Sequence, residues 1–277
     1  MARTLLITGC SSGIGYDAAH GMRARGWRVF ASCRKEADCK RLEAEGFDSP
    51  RIDYQDPASI EAGLAEVLNA TGGTLDALFN NGAFGIPGAA EDLPTDALRT
   101  IFEANFFGWH ELTRRVIPVM RTQGHGRVVQ NSSVLGFVPY PWRASYVATK
   151  YAIEGYTDVL RLEMKPAGIH VVLIEPGPIT TKIRENAIPH FERWIDWQSA
   201  PRKADYERSL MKRLYAPPQG IDPGELPPSA VTEKLARALD HPNPRPRYYV
   251  TWPTHLMGTM KRLLPSRMLD ALIRRAG

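Results

Sequence analysis

The chain has 277 residues, 43% apolar and 23% charged, which excludes a disordered or fibrous chain and suits one large α/β domain or two small ones. The net charge of +5 is spread along the chain, so it permits an anionic small molecule or an acidic membrane surface and offers no basic stripe for nucleic acid. Cys10, Cys33 and Cys39 have neither metal-ligand spacing nor a paired framework and read as reduced thiols of a cytoplasmic protein, while no apolar run approaches a signal peptide or the ~20 residues of a membrane span.

Residues 4–8 form a short apolar, β-rich run ended by glycine, as a buried strand should. A helical pattern follows over 14–25, closed by Gly26, and 27–32 reads as the second strand. The order then repeats: helix 37–45, short strand 48–53, helix 57–71, strand 75–80, a long helix 95–123, strand 126–132, helix 145–165 and strand 169–175. Strands with continuous apolar cores alternating with helices predict a parallel sheet covered on both faces. Beyond Pro176 the regularity stops until about Pro228. A helix at 229–239, a strand at 247–251 and a basic amphipathic tail come last.

The run TGCSSGIG, with Gly9, Ser11, Ser12, Gly13, Ile14 and Gly15, lies where the first strand hands over to the first helix. Glycines there let the backbone approach a pyrophosphate, and the helix N-terminus offers free N–H groups and partial positive charge. A glycine turn also occurs for structural reasons alone, but its position in an alternating pattern favours dinucleotide binding. At the end of the second strand, where an acid would select NAD, stands Cys33, followed by Arg34 and Lys35. Two cations without a carboxylate favour NADP(H) over NAD(H); a solvated basic turn is the ordinary alternative. Asp53 is placed to reach the adenine, and its neighbour Asp56 caps the helix that begins at Pro57.

YVATK puts Tyr146 and Lys150 four residues apart, on one face of a helix. A cation beside a phenol favours the phenolate and lowers its pKa, which would make Tyr146 a working acid-base group; two residues alone are equally a surface accident.

Together these motifs resemble the short-chain dehydrogenase/reductase family. Its glycine turn appears as Thr8-Gly9 to Gly13-Ile14-Gly15, its NNAG as NNGA at residues 80–83 with Asn81, its helix asparagine as Asn105, and its Ser and YxxxK as Ser133, Tyr146 and Lys150. EPGPITT, with Pro176, Gly177, Ile179 and Thr181, resembles the segment that holds the nicotinamide end. In NNGA the alanine and glycine are exchanged, which predicts a local backbone variation. The match spans roughly residues 3 to 182. The local wording IEPGPI and TKYAIEG is most like the retinol- and hydroxysteroid-dehydrogenase branch, though wording names no substrate.

The resemblance implies a single Rossmann-like doubly wound domain: a core over 1–182, a substrate lid over 183–228, and the last helix, strand and tail over 229–277. It implies a tetrad in which Tyr146 handles the proton, Lys150 lowers the phenol's pKa and holds the nicotinamide ribose, Ser133 hydrogen-bonds the substrate oxygen, and Asn105 steadies a water leading from Lys150 to solvent. It also implies pairing through the long helices into a homodimer or homotetramer. Phe137, Tyr140, Trp142, Phe191, Trp194 and Trp197 suggest a pocket for an apolar alcohol, ketone or aldehyde of steroid, retinoid or long-chain type; equally, they pack the lid. The tail, with Leu269, Leu272 and Ile273 on one side and Arg267, Arg274 and Arg275 largely elsewhere, suits an anionic membrane surface or docking on its own lid or a second subunit. A rival reading is a non-catalytic nucleotide sensor on the same fold; such a protein tends to lose the Tyr or Lys retained here.

Overall fold

A computed structural model describes residues 2–216 and 222–276; 217–221, inside the expected lid, lie outside the described residues, as does the Arg275 side chain. The chain runs β1 (Thr4–Ile7), α1 (Gly13–Ala24), β2 (Arg28–Ala31), α2 (Glu36–Ala44), α3 (Pro57–Thr71), β3 (Ala77–Asn80) and α4 (Thr95–Phe102). A π-helical turn, Glu103–Phe107, leads into α5 (Gly108–Gln123), followed by β4 (Gly126–Asn131), α6 (Ala144–Met164) and β5 (Ile169–Glu175). The remainder is α7 (Ile183–Trp194), α8 (Lys203–Asp205), α9 (Met211–Leu214), α10 (Ser229–Asp240), β6 (Arg247–Tyr249), α11 (Trp252–Leu263) and α12 (Ser266–Ala276).

The strands form one parallel sheet in the order β2-β1-β3-β4-β5-β6. Alternate residues on each strand enter opposite cores. Leu5, Ile7, Phe79, Val129 and Val172 pack with α1 and α10, whereas Leu6, Leu78, Val128 and Val171 pack with α3, α5 and α6. Both faces are dry, which is why the strand sequences read as unbroken apolar runs.

Three expectations need correction. The strand expected over 48–53 is reduced to isolated bridges, Phe30 to Asp48 and Cys33 to Arg51. Pro50 has no N–H to donate, and Ser49 spends its hydroxyl on the Ala31 carbonyl at 2.7 Å, so no continuous ladder forms. The long helix over 95–123 is interrupted by the π turn containing Asn105. The stretch after Pro176 is irregular in sequence but carries helical segments between 183 and 214, with their own core of Ala187, Phe191, Ile195, Tyr206, Leu210 and Leu214.

Candidate active site

The first helix begins without a side-chain cap: Ser12 is extended, and its hydroxyl makes no cap hydrogen bond. The N–H groups of the first turn of α1 are therefore left for an anion. Behind them Gly9 adopts φ +70°, and a Cβ there would meet Gly82 Cα at 2.6 Å. A Cβ on Gly15 would lie 2.3 Å from the Gly9 carbonyl oxygen. Gly13 is at φ +59°, and a Cβ there would lie 3.1 Å from the Thr181 side chain, which brings the segment after β5 against the glycine turn. Gly82 itself is not in the left-handed region, and a Cβ there would meet the Tyr54 ring at 3.3 Å and the Gly9 backbone at an ordinary 3.5 Å. The exchanged NNGA turn thus makes no demand for glycine conformation at 82.

A polar chain runs from this turn to Lys150. Asn81 Nδ2 donates to the Thr8 carbonyl at 3.0 Å, and Asn81 Oδ1 accepts from Asn131 Nδ2 at 2.8 Å. The Asn131 main-chain carbonyl accepts from Lys150 Nζ at 2.7 Å. Lys150 is 1% exposed, and its ammonium also lies 4.4 Å from the Trp109 ring centre, while the Trp109 indole donates to the Gly82 carbonyl at 2.8 Å. Burial drives the Lys150 pKa down to about 7, with the field of Glu154 pulling it back up.

Tyr146 stands one turn before Lys150, its ring centre 5.5 Å from the ammonium. The phenol was expected below its ordinary value; burial instead holds it well above, and a hydrogen bond with Ser133 draws it down only in part. Lys150, 5.5 Å from the ring centre, does not reverse that. Ser133 is extended at the end of the strand segment, and its hydroxyl accepts from Leu135 N at 3.1 Å, capping a short 3-10 turn.

Asn105 is fully buried. Its Nδ2 donates to the Phe84 carbonyl at 2.8 Å and to Thr149 Oγ1 at 3.3 Å, and its Oδ1 accepts from Phe84 N at 3.1 Å. The side chain thus positions Phe84 rather than Lys150. Phe84 stacks on His190 of α7 at 4.1 Å and joins Tyr146 and Trp194 around Ile86, Ala97 and Ile101. Phe84, His190 and Trp109 are absent from the residues singled out in the sequence. Only the neighbouring NNGA and ANFFG motifs could have pointed to them, since a lone aromatic in a loop carries no spacing signal.

The aromatics expected to line a pocket divide. Phe191 is 0% exposed inside the core of the 183–214 helices, where Trp142 and Trp197 also pack. Phe137 and Tyr140 lie against α11 and α12 together with Leu269 and Ile273, so the tail docks on the loop after Ser133. Trp194 alone of the six reaches the Tyr146 side.

At the far end, Arg34 is exposed beyond buried Cys33, and Arg51 donates to its carbonyl at 3.1 Å. Arg41 of α2, which the sequence did not flag, donates to the Ser11 carbonyl at 2.7 Å and so braces the glycine turn. Asp53 Oδ1 accepts from Gln55 N at 3.0 Å, holding a tight turn beside Tyr54. Pro176 accepts from Val134 N at 2.8 Å, and Gly177 is pressed against Thr251, where a Cβ would lie 2.2 Å from the hydroxyl. Ile179 pairs with Leu226 in an isolated bridge.

A family profile described as short chain dehydrogenase matches residues 3–190. The oxidoreductase YbbO of Escherichia coli strain K12 is 37% identical over 273 residues, covering 99% of this chain and 94% of the relative. An NADPH-dependent 3-dehydrocapnine reductase from Ornithobacterium rhinotracheale is 31% identical, with coverages of 98% and 95%. The crystal structure of a short-chain dehydrogenase from Streptomyces avermitilis superposes with a TM-score of 0.79 at 27% identity, covering 99% of this chain and 94% of that one.

Proposed function

The chain belongs to the short-chain dehydrogenase/reductase family of oxidoreductases, and on that premise we propose that it interconverts an apolar alcohol and its ketone or aldehyde with NADP(H) in preference to NAD(H). The observation that carries the reading is that a hydrogen-bonded chain starting in the glycine turn ends on Lys150, one helical turn from Tyr146, which is itself hydrogen-bonded to Ser133.

The residues fit a dinucleotide. The uncapped α1 N-terminus and the close approach of Gly9 and Gly15 to the backbone around them form a cradle that a side chain at either glycine would fill. Ser11, Ser12, Ile14 and Asn81 would line its phosphate end, Asp53 the adenine end, and Pro176, Gly177, Ile179 and Thr181 the nicotinamide end. When bound, the nicotinamide supplies or accepts a hydride at the carbonyl carbon. Arg34, exposed and without an ion pair among the described residues, suits a 2′-phosphate, and the NADPH-dependent relative accords with that choice.

Tyr146, kept protonated by burial, is the group that donates its proton to the carbonyl oxygen during reduction. Ser133 donates a hydrogen bond to the same oxygen and stabilises charge that builds there. Lys150 resupplies the proton and binds the nicotinamide ribose. Because the Asn105 side chain is committed to Phe84 and Thr149, the water leading to solvent is steadied by its main chain in the π turn. Phe84, His190 and Trp194 give the substrate an apolar wall beside Tyr146. A nucleotide-sensing role without turnover has no need of this assembled group.

Exposed Phe107, at the end of the π turn, and Tyr151, Val159 and Leu162, along α6, offer a face for a homodimer or homotetramer. No helix among the described residues is long and apolar enough to cross a membrane, and the three buried thiols accord with a cytoplasmic setting. Oxidation of NADPH and NADH against a panel of apolar ketones and aldehydes tests the activity. Turnover with NADPH favoured is expected; equal use of both cofactors removes the Arg34 assignment, and no turnover of any carbonyl overturns the reading.

A further inference from the structure

Two carboxyl groups lie buried beneath the site and take no part in the chemistry above. Glu154, 7% exposed, is one turn after Lys150, so Tyr146, Lys150 and Glu154 follow one another at four-residue steps on one face of α6. Glu175, 0% exposed, is the last residue of β5 and immediately precedes Pro176 and Gly177.

Among the described residues, the cation that forms ion pairs with both is Arg247 of β6. It reaches Glu154 Oε2 at 3.0 Å and Glu175 Oε1 at 3.2 Å, and spends its remaining donors on Asp158 at 2.8 and 2.9 Å. Asp158 is itself held ionised by Arg247 and Arg161. One guanidinium therefore faces three carboxyl groups, two of them removed from water.

Glu154 and Glu175 face each other; beyond the Ser132 hydroxyl beside Glu154 and the Arg247 guanidinium already described, no N–H or O–H donor among the described residues is placed on Glu154 Oε1 or on the Glu175 oxygens. Two ionised carboxylates are acceptors only and repel; a single proton between them creates the missing donor. The raised pKa of both groups, that of Glu175 to about 9, agrees with this. The other charged or titratable groups facing the pair are Lys150 on α6 and Tyr249 on β6, with His255 of α11 behind that tyrosine.

The pair also touches the loop that carries Ser133. A Cβ on Gly136 would meet Ser132 Oγ at 2.6 Å and Glu154 Oε1 at 2.9 Å, so glycine leaves the carboxyl room beneath the loop. The ends of β4, β5 and β6 and the Lys150 face of α6 thus converge on these two side chains.

We propose that Glu154 and Glu175 form a carboxyl–carboxylate pair sharing one proton, and that its single negative charge acts as a positioning device that keeps Lys150 cationic. The inference rests on the reading of Lys150 as part of the active site. No ion pair joins Lys150 to Glu154 among the described residues; the lysine donates to Asn131, and the pair acts through its field from one turn away. Removing one carboxyl lets the other keep the charge, so each single variant has little effect on Lys150, whereas removing both withdraws the charge.

The test uses Glu154→Gln, Glu175→Gln and the double variant. The Lys150 titration is read by NMR of labelled lysine in cofactor-free protein, and the alkaline limb of carbonyl reduction is read separately. The double variant is expected to move both to lower pH by about one unit or more, with each single variant moving them far less. A double variant that folds and leaves the Lys150 titration in place overturns the proposal. If that titration moves but no variant, nor the parent, reduces any carbonyl, the pair stands and the functional reading falls. Should the double variant fail to fold, infrared spectra of the parent at neutral pH decide. A buried protonated carboxyl band that disappears in both single variants is expected, and its absence from the parent overturns the shared proton.

Discussion

Lys150 Nζ donates 2.7 Å to the main-chain carbonyl of Asn131, whose side chain donates 2.8 Å to Asn81. The lysine is thereby fixed to the turn between β3 and α4 and, through Asn81, to the Thr8 carbonyl at the start of the glycine turn. A buried ammonium needs such partners, because an unpaired one is strongly disfavoured away from water. The same link places the two ends of the proposed cofactor site in one rigid frame.

Replacing Tyr146 by Phe removes the phenolic proton and leaves the ring in its place among Phe84, Trp194 and Ile101. Carbonyl reduction should fall by about 100- to 10,000-fold with NADPH binding retained, as single-turnover kinetics and fluorescence titration will show. Near-normal turnover would remove Tyr146 from the chemistry.

Gly9 and Gly82 lie against one another and make opposite predictions. Gly9→Ala puts a Cβ 2.6 Å from Gly82 Cα at φ +70°, a contact between backbones that cannot relax cheaply. Cofactor binding should be lost and the midpoint of unfolding lowered. Gly82→Ala meets the Tyr54 ring at 3.3 Å and the Gly9 backbone at 3.5 Å, with no left-handed φ to hold, and should leave NADPH affinity within about threefold. Titration of both variants against NADPH separates a turn that needs glycine from one that merely contains it.

The parallel sheet and the order of motifs were legible because buried strands and a glycine turn leave local signals in the chain. Tyr146, Lys150 and Asn81 could be located by spacing for the same reason. What could not be read depends on contacts between distant segments. Asn105 fitted a helix pattern, but its amide is consumed by the Phe84 backbone, which no periodicity reveals. The direction of the Tyr146 shift was misjudged because a four-residue spacing shows the cation and hides the desolvation of both groups. Phe191 and Trp142 were ambiguous between pocket and core, and the helices over 183–214 bury them against Tyr206.

Arg34 and Arg41 are both cations near the proposed adenosine end and should differ in what they do. Arg34→Leu removes an exposed charge that forms no ion pair among the described residues and should weaken NADPH binding by about 10- to 100-fold with NADH unchanged. Arg41→Met cuts the 2.7 Å bond to the Ser11 carbonyl, and with it the support of the turn common to both cofactors. Both affinities should then fall together. Equal losses for Arg34→Leu in isothermal titration would move the phosphate contact elsewhere.

The tail presents Trp252, Leu256, Leu263 and Met268 to solvent while Leu269 and Ile273 are buried against Val138. Residues 252–269 carry Lys261, Arg262 and Arg267 and no acid, so the exposed ridge suits an anionic bilayer surface. Co-sedimentation with vesicles containing phosphatidylserine, lost in Leu263→Asp and at high salt, is the expected result. Equal recovery with zwitterionic vesicles, or none with either, would leave the ridge to protein contacts.

Lys150 and Glu175 should also shape stability against pH, in opposite senses. The lysine has its folded pKa lowered from 10.5 to about 7, so its contribution is fully present above the unfolded value and is lost as pH falls towards 7. Glu175 has its folded pKa raised from 4.5 to about 9, so its contribution is fully present below the unfolded value and is lost as pH rises towards 9. Stability from these groups therefore declines between about pH 4.5 and 7 and is level between about 7 and 9, where the two slopes cancel. Glu175→Gln should abolish the decline below pH 7 and uncover a rise above it. Lys150→Met leaves the Asn131 carbonyl without its donor, yet removes a charge held away from water, and should extend the decline to about pH 9. Urea midpoints across this range give the slopes directly, each approaching about 1.4 kcal/mol per pH unit where one group acts alone. A Glu175→Gln profile parallel to the parent would mean that its carboxyl is ionised in the folded protein.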